Sequence, residues 1–173
     1  MTDHVALLRG INVGGANNLK MADLRGLAER LGWSDVRTVL ASGNLLFRSE
    51  SSAGILAEQL TDALESEFGL NLSVIVLTSA RFAEALAACP FEPADDRQVH
   101  LFFPEGEIWP DQEIIGKFRS QTEELTIIAD IAYFHTPDGF GRSKLAAKME
   151  KALGSRATGR NLRTCRKIAD LSG

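Results

Sequence analysis

Val5-Ala6-Leu7-Leu8-Arg9-Gly10-Ile11-Asn12-Val13-Gly14-Gly15-Ala16-Asn17-Asn18-Leu19-Lys20 carries the chain out of a strand and into a turn. The apolar run of residues 4–8 reads as a buried strand. It breaks into glycines and asparagines before a helix begins near Met21. Gly14 and Gly15 tolerate positive φ and let backbone pass close to a ligand. A glycine-rich turn between strand and helix can hold an anion on its backbone N–H groups, and it can equally be plain turn geometry.

Outward from this turn, the chain alternates between two periods. Leu24, Leu27, Ala28 and Leu31 recur at helical spacing, so residues 21–31 form a helix stopped by Gly32. Residues 36–41 and 45–48 are strands around Ser42-Gly43-Asn44, a tight hairpin signal. Ser51 or Ser52 caps a helix whose apolar face is Ile55, Leu56, Leu60, Ala63, Leu64 and Phe68, and Gly69 ends it. Residues 72–77 form another strand. The order β-α-β-β-α-β is that of a ferredoxin-like unit. A helix from Thr78 or Ser79 to Ala88 follows, closed by Cys89-Pro90. Residues 91–97, with Pro93, Asp95 and Asp96, read as a linker. The strand at 98–103 leads to a helix at 111–120, then paired strands at 125–129 and 131–135. Ser143 caps a helix at 144–153 stopped by Gly154. The second half thus reads β-α-β-β-α followed by a further helix. The expected fold is α+β: a ferredoxin-like βαββαβ N-terminal half, a related βαββα second half and a helical C-terminus. The corresponding divisions are residues 1–78, a helix and linker at 79–97, and residues 98–173.

With 173 residues, 45% hydrophobic and 24% charged, the chain can bury a sizeable core without staples. Cys89 and Cys165 form no CxxC pair and give neither a zinc site nor a disulfide framework. No basic leader precedes a long apolar run, and no stretch approaches the ~18 apolar residues of a membrane span, so the expected location is cytoplasmic. The net charge of −4 conceals an asymmetry, because residues 142–167 hold nine cationic side chains against the single acid Glu150. Overall acidity argues against a protein that coats nucleic acid, whereas the basic segment points to one surface that meets an anion.

Four segments carry a family resemblance: Arg9-Gly10-Ile11-Asn12-Val13-Gly14-Gly15; Ser42-Gly43-Asn44 with Phe47; Asp138-Gly139-Phe140-Gly141-Arg142-Ser143-Lys144-Leu145; and Ala157-Thr158 with Arg160, Asn161 and Thr164. Together, over nearly the whole chain, they resemble the bacterial domain of unknown function 1697 family. The resemblance implies a small, soluble α+β protein with a ferredoxin-like arrangement. It implies no established activity, substrate, cofactor or catalytic residue. Leu162 stands where the family often has tryptophan, Cys165 where an aliphatic residue is usual, and Gly159 is atypical. These departures touch packing more than charge.

The chemistry-bearing candidates are few. The glycine turn is no Walker A loop, because no Gly-Lys-Ser/Thr follows Gly15, and its glycines lack the dinucleotide spacing. Arg9 precedes it and Lys20 follows it. At 100° per residue, Lys144, Lys148 and Lys151 share one helix face, with Leu145, Met149, Ala152 and Leu153 on another. In the last helix Thr158 reads as the N-cap, which puts Arg160 in the first turn. There its cation opposes the helix dipole unless an anion is present, and with Asn161, Arg163 and Thr164 it could hold a phosphate. Ser42 has no visible base partner. His4, His100 and His135 show no metal spacing, and no carboxylate pair announces acid–base work. Phe102, Phe103, Tyr133 and Phe134 lack the order of RNA-stacking sheets and read as core.

Three classes of function remain. The first is a site for a phosphate-bearing small molecule or nucleic-acid backbone, formed by Arg9, Asn12, Gly14 and Gly15 with Arg142, Ser143, Lys144, Arg160, Asn161 and Arg163. No metal or cofactor is called for. The second is an enzyme on a phosphorylated or carboxylated substrate, with Arg9 and Arg160 as clamps and no nameable base. The third is a protein-interaction module.

Overall fold

The computed structural model describes residues 1–173. The chain divides into two compact units, one of residues 1–84 with 167–173 and one of residues 85–166.

The first unit holds β1 (Thr2–Leu8), α1 (Met21–Arg30), β2 (Ser34–Val39), β3 (Asn44–Ser49), α2 (Ala53–Phe68) and β4 (Val74–Thr78). Its sheet has the order β2-β3-β1-β4, with β1 antiparallel to both β3 and β4. This is the ferredoxin-like arrangement expected from the element order. Side chains alternate across the sheet. Ala6 and Leu8 of β1, with Leu45 and Phe47 of β3, share a core with Leu24 and Leu27 of α1 and Leu56, Leu60 and Leu64 of α2. The four-residue spacing of those α2 leucines is what puts them on one stripe. Trp33 stacks on Phe47 with ring centres 4.0 Å apart. The opposite-facing Val5, Leu7 and Leu46 are also buried, so β1 is apolar on both faces from Val5 to Leu8.

α3 (Ser79–Ala87) follows β4, and the second unit then holds β5 (Val99–Pro104), α4 (Gln112–Phe118), β6 (Glu124–Ile128), β7 (Ile131–His135), α5 (Met149–Leu153) and β8 (Ala157–Asn161), before α6 (Leu162–Ser172) ends the chain. Single 3₁₀ turns at Phe140–Arg142 and Ala146–Lys148 lead into α5. The sheet order β6-β7-β5-β8 repeats the first unit, with the first strand of the unit paired between its third and fourth. Phe102, Ala132 and Phe134 face Leu145, Met149, Ala152 and Leu153. Tyr133 closes its hydroxyl onto the Ala85 carbonyl at 2.7 Å.

β8 corrects the expected second half, which is βαββαβ and not βαββα. Thr158 is no helix cap and Arg160 is in no helical turn; both lie on a strand whose register sets Leu101 against Arg160 and Phe103 against Thr158. Ala157-Thr158-Gly159-Arg160-Asn161 lacks a β-branched run, and a cation fills one inward position. Its strand state comes from pairing with β5, a non-local term that local propensity does not carry.

Gly159 makes that pairing possible. It sits opposite Phe102, and a Cβ there would lie 2.8 Å from the Phe102 ring. Gly159→Ala is therefore expected to destabilise the protein by about 1–3 kcal/mol through overpacking. Chemical denaturation measures this, and Phe102→Leu in the Gly159→Ala background is expected to restore part of the loss.

Candidate anion-binding surface

The glycine turn is built around Asn12. Its amide nitrogen donates to the carbonyls of Leu19 at 2.9 Å and Ala41 at 2.8 Å, and its carbonyl oxygen accepts from the Leu19 N–H at 2.8 Å. Val13 and Ala16 pair across Gly14 and Gly15, which have φ of 59° and 77°. Positive φ at both central residues of a two-residue turn is a hairpin geometry that glycine serves at little cost. The turn projects into solvent, with Val13 exposed. α1 starts at Met21, so the glycines form a hairpin tip and do not lie at the helix N-terminus. Asn12 thus serves the loop itself, and Arg9 is half-buried where β1 ends.

In the second unit the basic segment separates into three environments. Arg160 is only 9% exposed on β8, and its guanidinium donates to the Gly159 carbonyl at 2.9 Å. Burial lowers its pKa to about 10. On α6 the cations meet acids from the linker. Arg166 lies 3.0 Å from Asp96. Asp95 is held down to about 2 by hydrogen bonds from the Arg97 side chain and backbone, with Arg163 adding to the effect. Asn161 has the capping role expected of Thr158, since its side chain accepts from the Thr164 N–H at 2.8 Å.

Arg142, Lys144, Lys148 and Lys151 make up the third environment, and all four are exposed. Ser143 is buried and caps the following turn through Ala146 N–H at 3.0 Å, as its position before the helix implied. Leu145, Met149, Ala152 and Leu153 are buried and the lysines face outward, but the helix expected over 144–153 is α-helical only at Met149–Leu153, with a turn and a 3₁₀ turn before it. The sequence reading missed Lys117. It lies on α4, and its ammonium is 5.4 Å from the centre of the Phe118 ring, with that of Lys148 at 5.9 Å. No ion pair engages Lys117, Lys144, Lys148 or Lys151. Counting charge along one segment could not find Lys117, because packing of α4 and α5 is what brings it in.

The groups suited to chemistry are not assembled into a reactive centre. Burial pushes the Cys165 thiol up to about 12, so it stays protonated at neutral pH. His100 stacks on Phe140 with centres 3.7 Å apart, its Nδ1 has no hydrogen-bond partner, and burial depresses its pKa to about 4. No group of three or more His, Cys, Asp or Glu is placed to hold a metal ion. A cleft of about 710 Å³ in the first unit is lined by Asp3, Asp35, Arg37, Phe47 and Arg48 among others, and Arg48 is bound there by Asp3 at 3.3 Å and Asp35 at 3.4 Å. No helix is long and apolar enough to cross a membrane.

His100 sets a pH dependence with a definite sign. Its folded pKa of about 4 lies below the ordinary value of 6.5, so the unfolded chain takes up the proton first. Stability from the neutral, stacked ring is complete above the ordinary value and is lost as pH falls toward the folded one. The loss is on the order of 3 kcal/mol. Urea titrations across that window are expected to show wild type losing more stability than His100→Leu by that amount; parallel losses would contradict this.

Among curated proteins, none matches the chain. Of solved structures, a conserved bacterial protein, SP0830 from Streptococcus pneumoniae, is similar at 23% identity and a TM-score of 0.74, with 99% of each chain covered. That likeness establishes the fold of the whole chain. The profile of a family described as protein of unknown function (DUF1697) matches residues 1–133, more than three quarters of the sequence, and the chain belongs to that family.

Proposed function

We propose that this protein binds a phosphate-bearing polyanion on the lysine surface of its second unit. The observation that carries the reading is the convergence of Lys117 and Lys148 on the Phe118 ring, with Lys144 and Lys151 beside Lys148 in sequence and no acid paired with any of them. Unpaired ammonium groups gathered from α4, from α5 and from the turns that lead into α5 raise the local potential and attract phosphate, a compact anion that lysine meets as a point charge. Arg142, immediately before the capping Ser143, extends the same cationic run.

We draw the proposed site more narrowly than the full cationic run. Arg166 spends its charge on Asp96, Arg163 lies within the field of Asp95, whose carboxylate is paired with Arg97, and the Asn161 side-chain oxygen serves the helix cap. The glycine turn has its own geometric account in Asn12 and carries no part of the proposal. No general base stands among the lysines, which favours binding over catalysis.

The test is titration of the protein with a nucleic-acid duplex, polyphosphate and inorganic phosphate at several salt concentrations. Contact by the four lysines predicts a slope of log K against log[salt] of about −3 to −4 for the duplex. Lys144→Ala with Lys148→Ala is expected to weaken binding at least about tenfold and flatten the slope by about 2. Binding of nothing anionic at low salt, or binding indifferent to the two substitutions, would sink the proposal.

A further inference from the structure

We infer that residues 105–113 of the second unit form a docking surface for an arginine-rich segment of another protein, with Trp109 as its anchor. This surface is separate in chemistry from the lysine surface, because its charge is opposite. Trp109 is 67% exposed, whereas the chain's other tryptophan, Trp33, is 5% exposed and stacked in a core.

Exposure here does not come from a loose loop. The Glu105 N–H donates to the Arg156 carbonyl at 2.8 Å, Trp109 N–H to the Leu153 carbonyl at 2.9 Å, and Asp111 N–H to the Ala152 carbonyl at 2.8 Å. The Gly106 N–H adds a bond to the Ser155 hydroxyl at 3.2 Å. Gly154 has φ of 66°, and a Cβ on it would lie 2.6 Å from the Trp109 carbonyl oxygen, so the Trp109 backbone rests directly on the glycine that ends α5. The backbone is fixed while the indole is left in water, where it contributes little to the fold.

The indole has acids around it in the chain. Glu105, Glu107, Asp111 and Glu113 are all exposed and none is in an ion pair. Residues 105–113 contain no cation; Lys151 and Arg156 are the bases on the segment they are bonded to. Glu105 and Glu107 precede the exposed indole in sequence and Asp111 and Glu113 follow it, Asp111 also capping α4 through the Ile114 N–H at 3.0 Å, and this acidic setting suits a planar cation. A guanidinium stacks on the ring face and its fork pairs with a neighbouring carboxylate. Tryptophan and arginine are also the residues that most often dominate binding energy at interfaces. Complementary charge selects the partner's sign and speeds encounter.

The two tryptophans make the test direct, since Trp109 supplies the solvent-exposed emission. The intact protein is titrated with an oligoarginine peptide while emission and acrylamide quenching are followed. Binding is expected to shift the emission and protect it from acrylamide. Trp109→Ala, which removes that emission and is therefore read with wild type by the anisotropy of a dye-labelled oligoarginine peptide, is expected to weaken binding by about tenfold. Glu105→Gln with Glu107→Gln, which leaves the indole in place, is expected to weaken it similarly and reduce its salt sensitivity. Three outcomes overturn the inference: a peptide affinity unchanged by either variant, emission that responds to protein concentration alone and so reports a second copy, and emission that responds to polyphosphate but not to oligoarginine. Failure here leaves the lysine surface standing, because that surface is read by Lys144→Ala with Lys148→Ala and not by Trp109.

Discussion

Antiparallel pairing on both edges of one strand is the constraint on which each unit depends. β1 is hydrogen-bonded to β3 and β4, and β5 to β7 and β8. A strand paired on both sides has its backbone groups satisfied and its two faces free to be covered. Val5, Ala6, Leu7 and Leu8 are all fully buried, so no polar side chain is tolerated there. The helices follow from this, since each apolar face of a sheet needs a stripe of leucine or its equivalent laid on it. What leaves the central strand is then forced outward. β1 exits into the hairpin organised by Asn12, and β5 exits into the segment that presents Trp109.

Elements whose signal is local were readable from the chain alone. The α2 leucines at four-residue spacing, the glycine at its end and the Ser42-Gly43-Asn44 turn each depend on residues within one or two helical turns. Gly69 has φ of 64°, as a helix-ending glycine should. β8 was not readable in this way. Arg160 occupies an inward strand position, which hydropathy reads as a surface, and Gly159 is required by an aromatic ring on β5 far earlier in the sequence. Both facts are about pairing partners, and a sliding window contains no partners.

Charge was legible only in part, for the same reason. The excess of cations at residues 142–167 was visible, but its fate was decided by groups elsewhere. Asp96 comes from the linker and pairs with Arg166 of α6, whereas Lys117 comes from α4 and reinforces the α5 side. An unpaired lysine and an ion-paired arginine look alike in a count of charges. They differ in the potential they offer a ligand, because a paired cation already has its counter-charge at contact distance.

The unpaired lysines, proposed as a polyanion-binding surface, can be probed where they stand. Amide chemical-shift mapping with a short oligonucleotide tests that proposal most directly, since it locates contact without altering a side chain. Shifts are expected at Lys117, Phe118 and residues 142–151 alone, fading as salt is raised. Shifts centred on the Asn12 hairpin or on residues 105–113, or no shifts at low salt, would contradict that proposal.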